Sequence, residues 1–381
     1  MDVGAFILAA QFPGQGQEEA LHRAVRSAEL SEEAGLDSVW IAEHHFVPYG
    51  VCPSAVTLAA LLLGRTRRIG VGTAVSVLPT AHPVALGEQA ALLHLVSGGR
   101  FTLGVGRGGP WVDLEVFGSG LRAYEQGFPE SLDLLLRWLR EPRVGADGER
   151  YAFREVAVVP RSDDALAGQA AHGQTVGGQA AGGQTAHEQA AHGQAGGGQA
   201  GGGQAVGAPP VLVACTSPTS VRLAAERGLP MLLGMHCGDE EKAEVVGLWR
   251  RAALAAGRSP EDVDAVAARH VSAGVVQIAD ARPTAAETLI KAMPGWLRQG
   301  LGAHVTVDGR ERRMRDPVAY AELLCELHPV GSPRLCADRL AATAERTGIR
   351  RFALLVEGSG DLAATEENVR RLGSEVLPLL R

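Results

Sequence analysis

The stretch SVWIAEHHF, residues 38–46, joins a short apolar strand to three polar side chains. Its first five residues are mostly apolar, β-branched or aromatic, which is typical of a parallel strand covered on both faces. A carboxylate, Glu43, and two imidazoles, His44 and His45, follow at once. Because chemistry in parallel α/β folds collects where strands end, the stretch predicts a buried parallel sheet with a site at its edge.

Seven further runs of the same character alternate with helix-like segments along the chain. They lie at residues 3–9, 69–78, 100–106, 210–215, 230–234, 271–279 and 351–358. Eight strands that alternate with helices predict an α/β fold with right-handed crossovers. A (β/α)8 TIM barrel, formed by one domain over residues 1–381, accounts for all eight. An open doubly wound sheet is the alternative that this pattern leaves open.

A long low-complexity insertion interrupts the alternation at residues 163–208. Gln recurs there at every fifth position among Gly and Ala. A period of five fits neither helix nor strand, and side chains this small offset little ordering entropy. We therefore expect a disordered Gly/Gln/Ala insertion in a surface loop. His172, His187 and His192 within it are not pre-organised as ligands, so no metal site is predicted.

Composition and charge exclude several function classes. The net charge of −7 and the pI near 6.0 argue against a nucleic-acid-binding protein. No apolar run reaches the roughly 18 residues of a membrane span, and the N-terminus is predicted to be a strand rather than a signal peptide. Five scattered cysteines without a C-x-x-C pair are typical of reduced thiols. We expect a cytoplasmic protein without nucleic acid or membrane partners.

Hydroxyl and guanidinium groups follow two other predicted strands. Arg107 ends GVGR after the fourth strand, and Thr216, Ser217 and Ser220 lie around a helix predicted to begin at Pro218. A helix N-terminus with hydroxyls, beside an arginine from the neighbouring strand, is an arrangement that binds phosphate. The alternative is that the hydroxyls only cap the helix.

The two adjacent histidines are predicted to have different environments. Neighbouring side chains on an extended segment point to opposite sides, so Glu43, His44 and His45 cannot all face one pocket. One imidazole is expected to exchange a proton in the site, and the other to support the loop. The residues alone leave open which is which, and also whether both only stabilise the rim of the barrel.

These motifs, in this order, resemble the bacterial luciferase-like monooxygenases, most strongly the catalytic α subunit of bacterial luciferase. The stretches that carry the resemblance are GLDSVWIAEHHF (35–46), VGTAVSVLPTAHPV (71–84), SGGRFTLGVGRG (97–108), EVFG (115–118), PVLVACTSPTSVRLAAERGLPM (210–231) and PVGSPRLCADRL (329–340). They extend along the chain on both sides of the insertion. The family fold is a (β/α)8 barrel, in agreement with the strand count.

The resemblance implies a chemistry and its residues. Reduced FMN would react with O2 to give a flavin hydroperoxide that oxygenates a small organic substrate. By the same resemblance His44 is the catalytic imidazole, Asp113 is a second catalytic group near the flavin, and the Ala74–Val75 peptide bond is cis beneath the flavin ring. The residues expected to bind the cofactor are Ala74, Val75, Gly106, Arg107, Ala214, Cys215, Thr216, Ser217 and Ser220.

Partners and alternatives also follow from the resemblance. A separate flavin reductase is expected to supply reduced FMN, and the chain is expected to form a homodimer. The region 280–326 differs from luciferase and is the candidate lid, with Pro294, Gly295 and Trp296 near its middle. Its divergence argues against a long-chain aldehyde, and the Ala-, Gly- and Arg-rich composition points to a secondary metabolite such as a polyketide, as in antibiotic biosynthesis. Coenzyme F420-dependent hydride transfer, a non-catalytic flavin-binding protein and a sugar- or phosphate-processing barrel are the alternatives.

Overall fold

The computed structural model describes residues 1–161, 207–310 and 315–381. The insertion predicted at residues 163–208 lies outside these residues, apart from positions 207 and 208. In chain order the strands of the described residues are β1 (Asp2–Ile7), β2 (Ser38–Ile41), β3 (Gly70–Thr73), β4 (Ser76–Val77), β5 (Phe101–Gly106), β6 (Arg143–Asp147), β7 (Ala152–Ala157), β8 (Val211–Cys215), β9 (Met231–Leu233), β10 (Val271–Val275), β11 (Gln277–Ile278), β12 (Val330–Gly331) and β13 (Arg351–Leu355).

Eight of these strands form a closed parallel barrel. Their order around the barrel is β1, β2, β3, β5, β8, β9, β10 and β13, and β13 pairs with β1 to close it. Each coincides with one of the eight strands predicted from the sequence. The pairing of β3 with β5 and of β13 with β1 leaves no open edge, so the (β/α)8 barrel is confirmed and the open sheet is excluded.

Helices surround the barrel and connect its strands. They are Gln17–Glu33, Ala55–Arg65, Pro83–Val96, Asp113–Val116, Gly120–Glu125, Phe128–Arg140, Pro218–Glu226, Asp239–Ala255, Pro260–Ala267, Arg282–Gly302, Pro317–Leu327, Pro333–Thr347, Leu362–Arg371 and Leu377–Leu380. Proline occupies the first helical position at Pro83 and Pro218, as predicted. The helix predicted from Pro53 begins at Ala55 instead, because the Ser54 side chain accepts the Thr57 amide as its N-cap.

The strands bury side chains on both faces. On β2, Val39 and Ile41 pack outward against the helices, whereas Trp40 packs inward with Phe6 and Leu212. Adjacent residues alternate in this way because the side-chain period of a strand is two. Parallel strands in register therefore bring the residues that follow their carboxyl ends to one rim of the barrel.

Two features were not predicted correctly from the sequence. The antiparallel hairpin of β6 and β7 was not predicted at all. The middle of the candidate lid is not a loop, since Pro294, Gly295 and Trp296 lie within helix Arg282–Gly302 and Trp296 is 1% exposed. That helix is part of the core. No helix of the described residues has the length and apolar character needed to cross a membrane.

Candidate active site

The barrel rim brings together three of the residues predicted to bind the cofactor, namely Val75, Gly106 and Ala214. Val77 of β4 pairs with Gly106 of β5, and Val105 pairs with Val213 of β8. A Cβ added to Gly106 would lie 2.5 Å from Val75 Cγ2 and 3.6 Å from Ala214 Cβ. Glycine is therefore the residue that fits at this position, and Val75, Gly106 and Ala214 form a continuous surface.

The peptide bond between Ala74 and Val75 is cis, as the resemblance implied. It lies between β3 and β4, where the chain passes from one strand to the other along the rim. Both residues are half-buried, so this stretch of backbone faces the open end of the barrel.

Arg107 and the hydroxyl cluster lie on neighbouring strands. Arg107 follows β5 directly and is exposed, and its guanidinium carbon is 4.2 Å from the centroid of the Tyr124 ring. Contact through the face of the guanidinium holds the group in place and leaves its N–H donors in the plane free for an anion.

Cys215, at the end of β8, is buried, and burial raises the pKa of its thiol to about 12, so it is not a thiolate.

The hydroxyls of Ser217 and Ser220 form a capping box at helix Pro218–Glu226. Ser217 Oγ accepts the Ser220 amide at 3.3 Å, while Ser220 Oγ accepts the Ser217 amide at 3.1 Å and donates to the Ser217 carbonyl oxygen at 2.8 Å. Both serines thus cap the helix. Ser220 Oγ makes two of these three hydrogen bonds and Ser217 Oγ makes one, and Thr216 is exposed.

Glu43 has a structural role that was not predicted from the sequence. One carboxylate oxygen accepts the Val77 amide at 2.9 Å, and the other accepts the Ala55 amide at 3.0 Å. Ala55 is the first residue of a helix, where an acceptor satisfies an unpaired N–H group. Glu43 therefore ties the loop after β2 to β4 and to this helix.

The structure separates the roles of the two histidines. His45 Nε2 lies 3.7 Å from Glu43 Oε1, and its ring packs edge-on against Phe117 with centroids 4.9 Å apart. His44 follows Trp40 and Ala42 on the inward face of the barrel, in edge contact with Tyr49 at 5.0 Å between centroids. His44 thus faces the inside of the barrel mouth, and His45 packs within the loop after β2.

The environment of His44 keeps its imidazole neutral. Desolvation, with smaller contributions from His304 and His45, lowers the pKa of His44 to about 3. Its Nδ1 is buried and has no hydrogen-bond partner among the described residues. Near pH 7 this imidazole is therefore neutral, and burial disfavours its protonated form.

Asp113 lies beneath this loop at the start of the short helix Asp113–Val116. It is 5% exposed, and its Oδ1 accepts the Leu114 amide at 2.9 Å. Burial raises the pKa of the Asp113 carboxyl, while the Leu114 amide and His45 act in the opposite direction. The charged groups that affect the Asp113 carboxyl are therefore His45 and Glu43. His44 lies on the same loop as these two residues.

A strap formed by residues 304–307, which was not predicted from the sequence, pairs with the loop after β5. Val112 donates its amide to the Val305 carbonyl oxygen at 2.9 Å, and Val307 donates to that of Pro110 at 2.8 Å. The His304 ring lies 4.7 Å from the Trp111 ring and 6.3 Å from that of Tyr49. The strap thus joins the loop after β5 to the segment that follows helix Arg282–Gly302, and its His304 ring lies beside Tyr49, which contacts His44.

Glu357, at the end of β13, has a structural role. Its Oε2 accepts the amides of Leu8 and Ala9 at 2.8 and 3.1 Å, and its Oε1 lies 3.7 Å from Arg23 Nε. Both Arg23 and Glu357 are fully buried. The pair joins the loops after β1 and β13 at the closure of the barrel.

Within the described residues, no group of three or more His, Cys, Asp or Glu side chains is arranged to hold a metal ion.

Comparison with known proteins agrees with this geometry. The family pattern of the luciferase-like monooxygenases matches residues 1–351. The alkanal monooxygenase alpha chain of the Kryptophanaron alfredi symbiont is 27% identical over 398 residues, which cover 100% of this chain and 99% of the relative.

Two solved structures share the fold over nearly the whole chain. The monooxygenase RslO1 from Streptomyces bottropensis superposes with a TM-score of 0.74 at 21% identity, over 99% of each chain. The oxygenating constituent of 3,6-diketocamphane monooxygenase from Pseudomonas putida, in complex with FMN, has a TM-score of 0.69 at 19% identity, over 99% of this chain and 98% of that one.

The fold is thus that of an α/β barrel, and the family match identifies an oxidoreductase. The chain belongs to the luciferase-like monooxygenase family.

Proposed function

We propose that this protein is a monooxygenase that uses reduced FMN and O2 to oxygenate a small organic substrate. Reduced FMN supplies two electrons, so that one oxygen atom of O2 enters the substrate and the other leaves as water. The observation that supports the proposal is that the surface of Val75, Gly106 and Ala214, the Arg107 guanidinium and the neutral His44 imidazole all lie at the carboxyl ends of barrel strands.

The residues fit the parts of FMN. The surface of Val75, Gly106 and Ala214, with the cis peptide beside it, suits a planar ring because a side chain at Gly106 would collide with Val75. Arg107 and Ser217 would hold the phosphate by charge-assisted hydrogen bonds. Ala74, Cys215, Thr216 and Ser220 complete the proposed binding surface.

His44 is the proposed catalytic residue. Because its pKa is about 3, the imidazole is neutral at the start of a cycle, with one ring nitrogen as a hydrogen-bond donor and the other as an acceptor. Asp113 is proposed to act as a positioning residue, because the charged groups that affect the pKa of its carboxyl are His45 and Glu43 and not His44. Glu43 and His45 hold the loop on which this geometry depends.

The partners are proposed from the family resemblance and from surface chemistry. A separate flavin reductase would deliver reduced FMN in the cytoplasm. Three large apolar side chains are exposed on the neighbouring helices Ala55–Arg65 and Pro83–Val96, namely Leu61, Leu92 and Val96 at 45%, 51% and 72%. Such a patch supports a homodimer that buries these two helices.

The test is a single-turnover assay with isotopically labelled O2. The purified protein is mixed anaerobically with reduced FMN and a panel of ketones and polyketide-like phenols, and labelled O2 is then admitted. We expect label in an organic product and oxidised FMN in equal amount. A parallel reaction with reduced F420 and no oxygen addresses hydride transfer. Turnover there, with no label incorporated in the first reaction, would refute the proposal.

A further inference from the structure

An open groove runs beside His44 on the side of the strands β1 and β2. It lies between the loop after β1, the loop at residues 46–53 and the end of helix Arg282–Gly302, and its volume is about 430 Å³. We call it the His44 groove. His44 is one of its lining residues.

The lining of the His44 groove carries three carboxamides and, apart from the imidazole, no ionisable side chain. Gln11, Gln17 and Gln299 supply the amides, and Phe46 with prolines, valines and a glycine supplies the rest. Gln11 donates its Nε2 to the Gln15 carbonyl oxygen at 2.8 Å and so presents its own oxygen as an acceptor. Gln17 and Gln299 are exposed, and a carboxamide can both donate and accept.

This chemistry discriminates between kinds of substrate. An anion that enters the groove loses part of its hydration without meeting a cation, which is unfavourable. A long alkyl chain would bury little of its surface in an open groove with polar amides. A flat ring can contact the Phe46 ring, which is 58% exposed, while its oxygen atoms meet the carboxamides.

We propose that the His44 groove is the substrate site and selects a neutral molecule with a flat ring and a carbonyl or hydroxyl group. Carboxylates, phosphate esters and extended alkyl aldehydes are disfavoured. The assignment of the bound molecule as a substrate rests on the proposed function. Binding itself is measured without turnover, so the two can fail separately.

The test compares probes of matched size. The affinities of 2-acetylnaphthalene, a neutral ketone, and of 2-naphthoate, an anion of nearly the same shape, are measured by fluorescence titration of the full chain at neutral pH. Decanal is measured by competition. We expect the ketone to bind at least about tenfold more tightly than either, because the anion would lose hydration without meeting a cation and the alkyl chain of decanal would bury little of its surface in the groove.

A charge variant locates the site. Gln299→Lys places a cation near the C-terminus of its helix, where it does not destabilise the helix. It is expected to raise the affinity for 2-naphthoate about threefold and to leave the ketone unchanged. Gln126→Lys is the matched control, since Gln126 is also an exposed glutamine at the end of a helix, outside the groove.

Equal affinity for the ketone and the anion, tighter binding of decanal, or no effect of Gln299→Lys would each overturn the inference. If the protein does not bind FMN but still prefers the ketone to the other two probes, the proposed function is wrong and the inference about the groove stands.

Discussion

His44 and His45 are adjacent in sequence but have opposite surroundings. One imidazole contacts Tyr49 in the mouth of the barrel, and the other packs against Phe117 beside Glu43. The alternation of an extended chain produces this separation, so the presence of two environments was predictable from the sequence. Which histidine faced inward was not, because it depends on the register of β2 within the barrel.

Replacement of His44 by alanine tests the inward residue. We expect FMN affinity to change little and coupled oxygenation to fall by about 10²- to 10⁴-fold, the usual contribution of a proton-transferring residue. His45→Ala is the comparison, and it should lower thermal stability as well as activity. Full coupled turnover in His44→Ala would exclude the proposed role.

Replacement of Arg107 by alanine tests the phosphate contact. A charge-assisted pair lost in this way should weaken FMN binding by about 10- to 100-fold. Riboflavin, which lacks the phosphate, is the control and should bind the wild type and the variant alike. Equal loss for both ligands in a calorimetric titration would show that Arg107 acts on the fold and not on the phosphate.

At the scale of elements, the barrel strands were predictable and the connections across its mouth were not. Buried parallel strands leave near-continuous apolar runs, which is a local signal. The hairpin of β6 and β7 is largely exposed and polar, and the strap pairs residues 304–307 with residues 110–112, far away in sequence. Contacts between distant loops have no signature in either segment, so Tyr49, Trp111 and His304 were missed as site residues.

The serine cap of helix Pro218–Glu226 allows structure and ligand binding to be separated. Ser217→Ala should lower the free energy of unfolding by about 0.5–2 kcal/mol through loss of the cap, and should also weaken FMN binding. Ser332→Ala is the matched control, because Ser332 caps helix Pro333–Thr347 through the Leu335 amide at 3.3 Å. Urea unfolding and FMN titration of both variants check this. If the control loses FMN affinity equally, the hydroxyl has no direct role.

For the molecule as a whole, a buried ion pair stabilises the closure of the barrel. Arg23→Met leaves the Glu357 carboxylate buried without its cation and should cost about 3–5 kcal/mol of unfolding free energy. The double variant Arg23→Met, Glu357→Gln should recover part of this loss, because the uncompensated charge is removed. Denaturant titrations of the two variants provide the comparison. A double variant less stable than the single one would contradict this account.

Buried histidines make the stability of the protein depend on pH. Desolvation lowers the pKa values of His44, His270 and His328 to about 3, from an ordinary value near 6.5. Between these values the unfolded chain binds more protons than the folded one, so stability falls as pH drops from about 6.5 toward 3 and is flat above it. Unfolding at several pH values checks this, and His270→Gln should reduce the slope.

The pairing of the first strand with the last has a consequence for biosynthesis. The partner of Val3 in β1 is Phe352 in β13, so the seam of the barrel closes only after the ribosome has made β13. Until then, β1 and β10 each present a strand edge that can recruit another nascent polypeptide. Chaperone occupancy during translation should therefore persist until β13 has emerged from the exit tunnel.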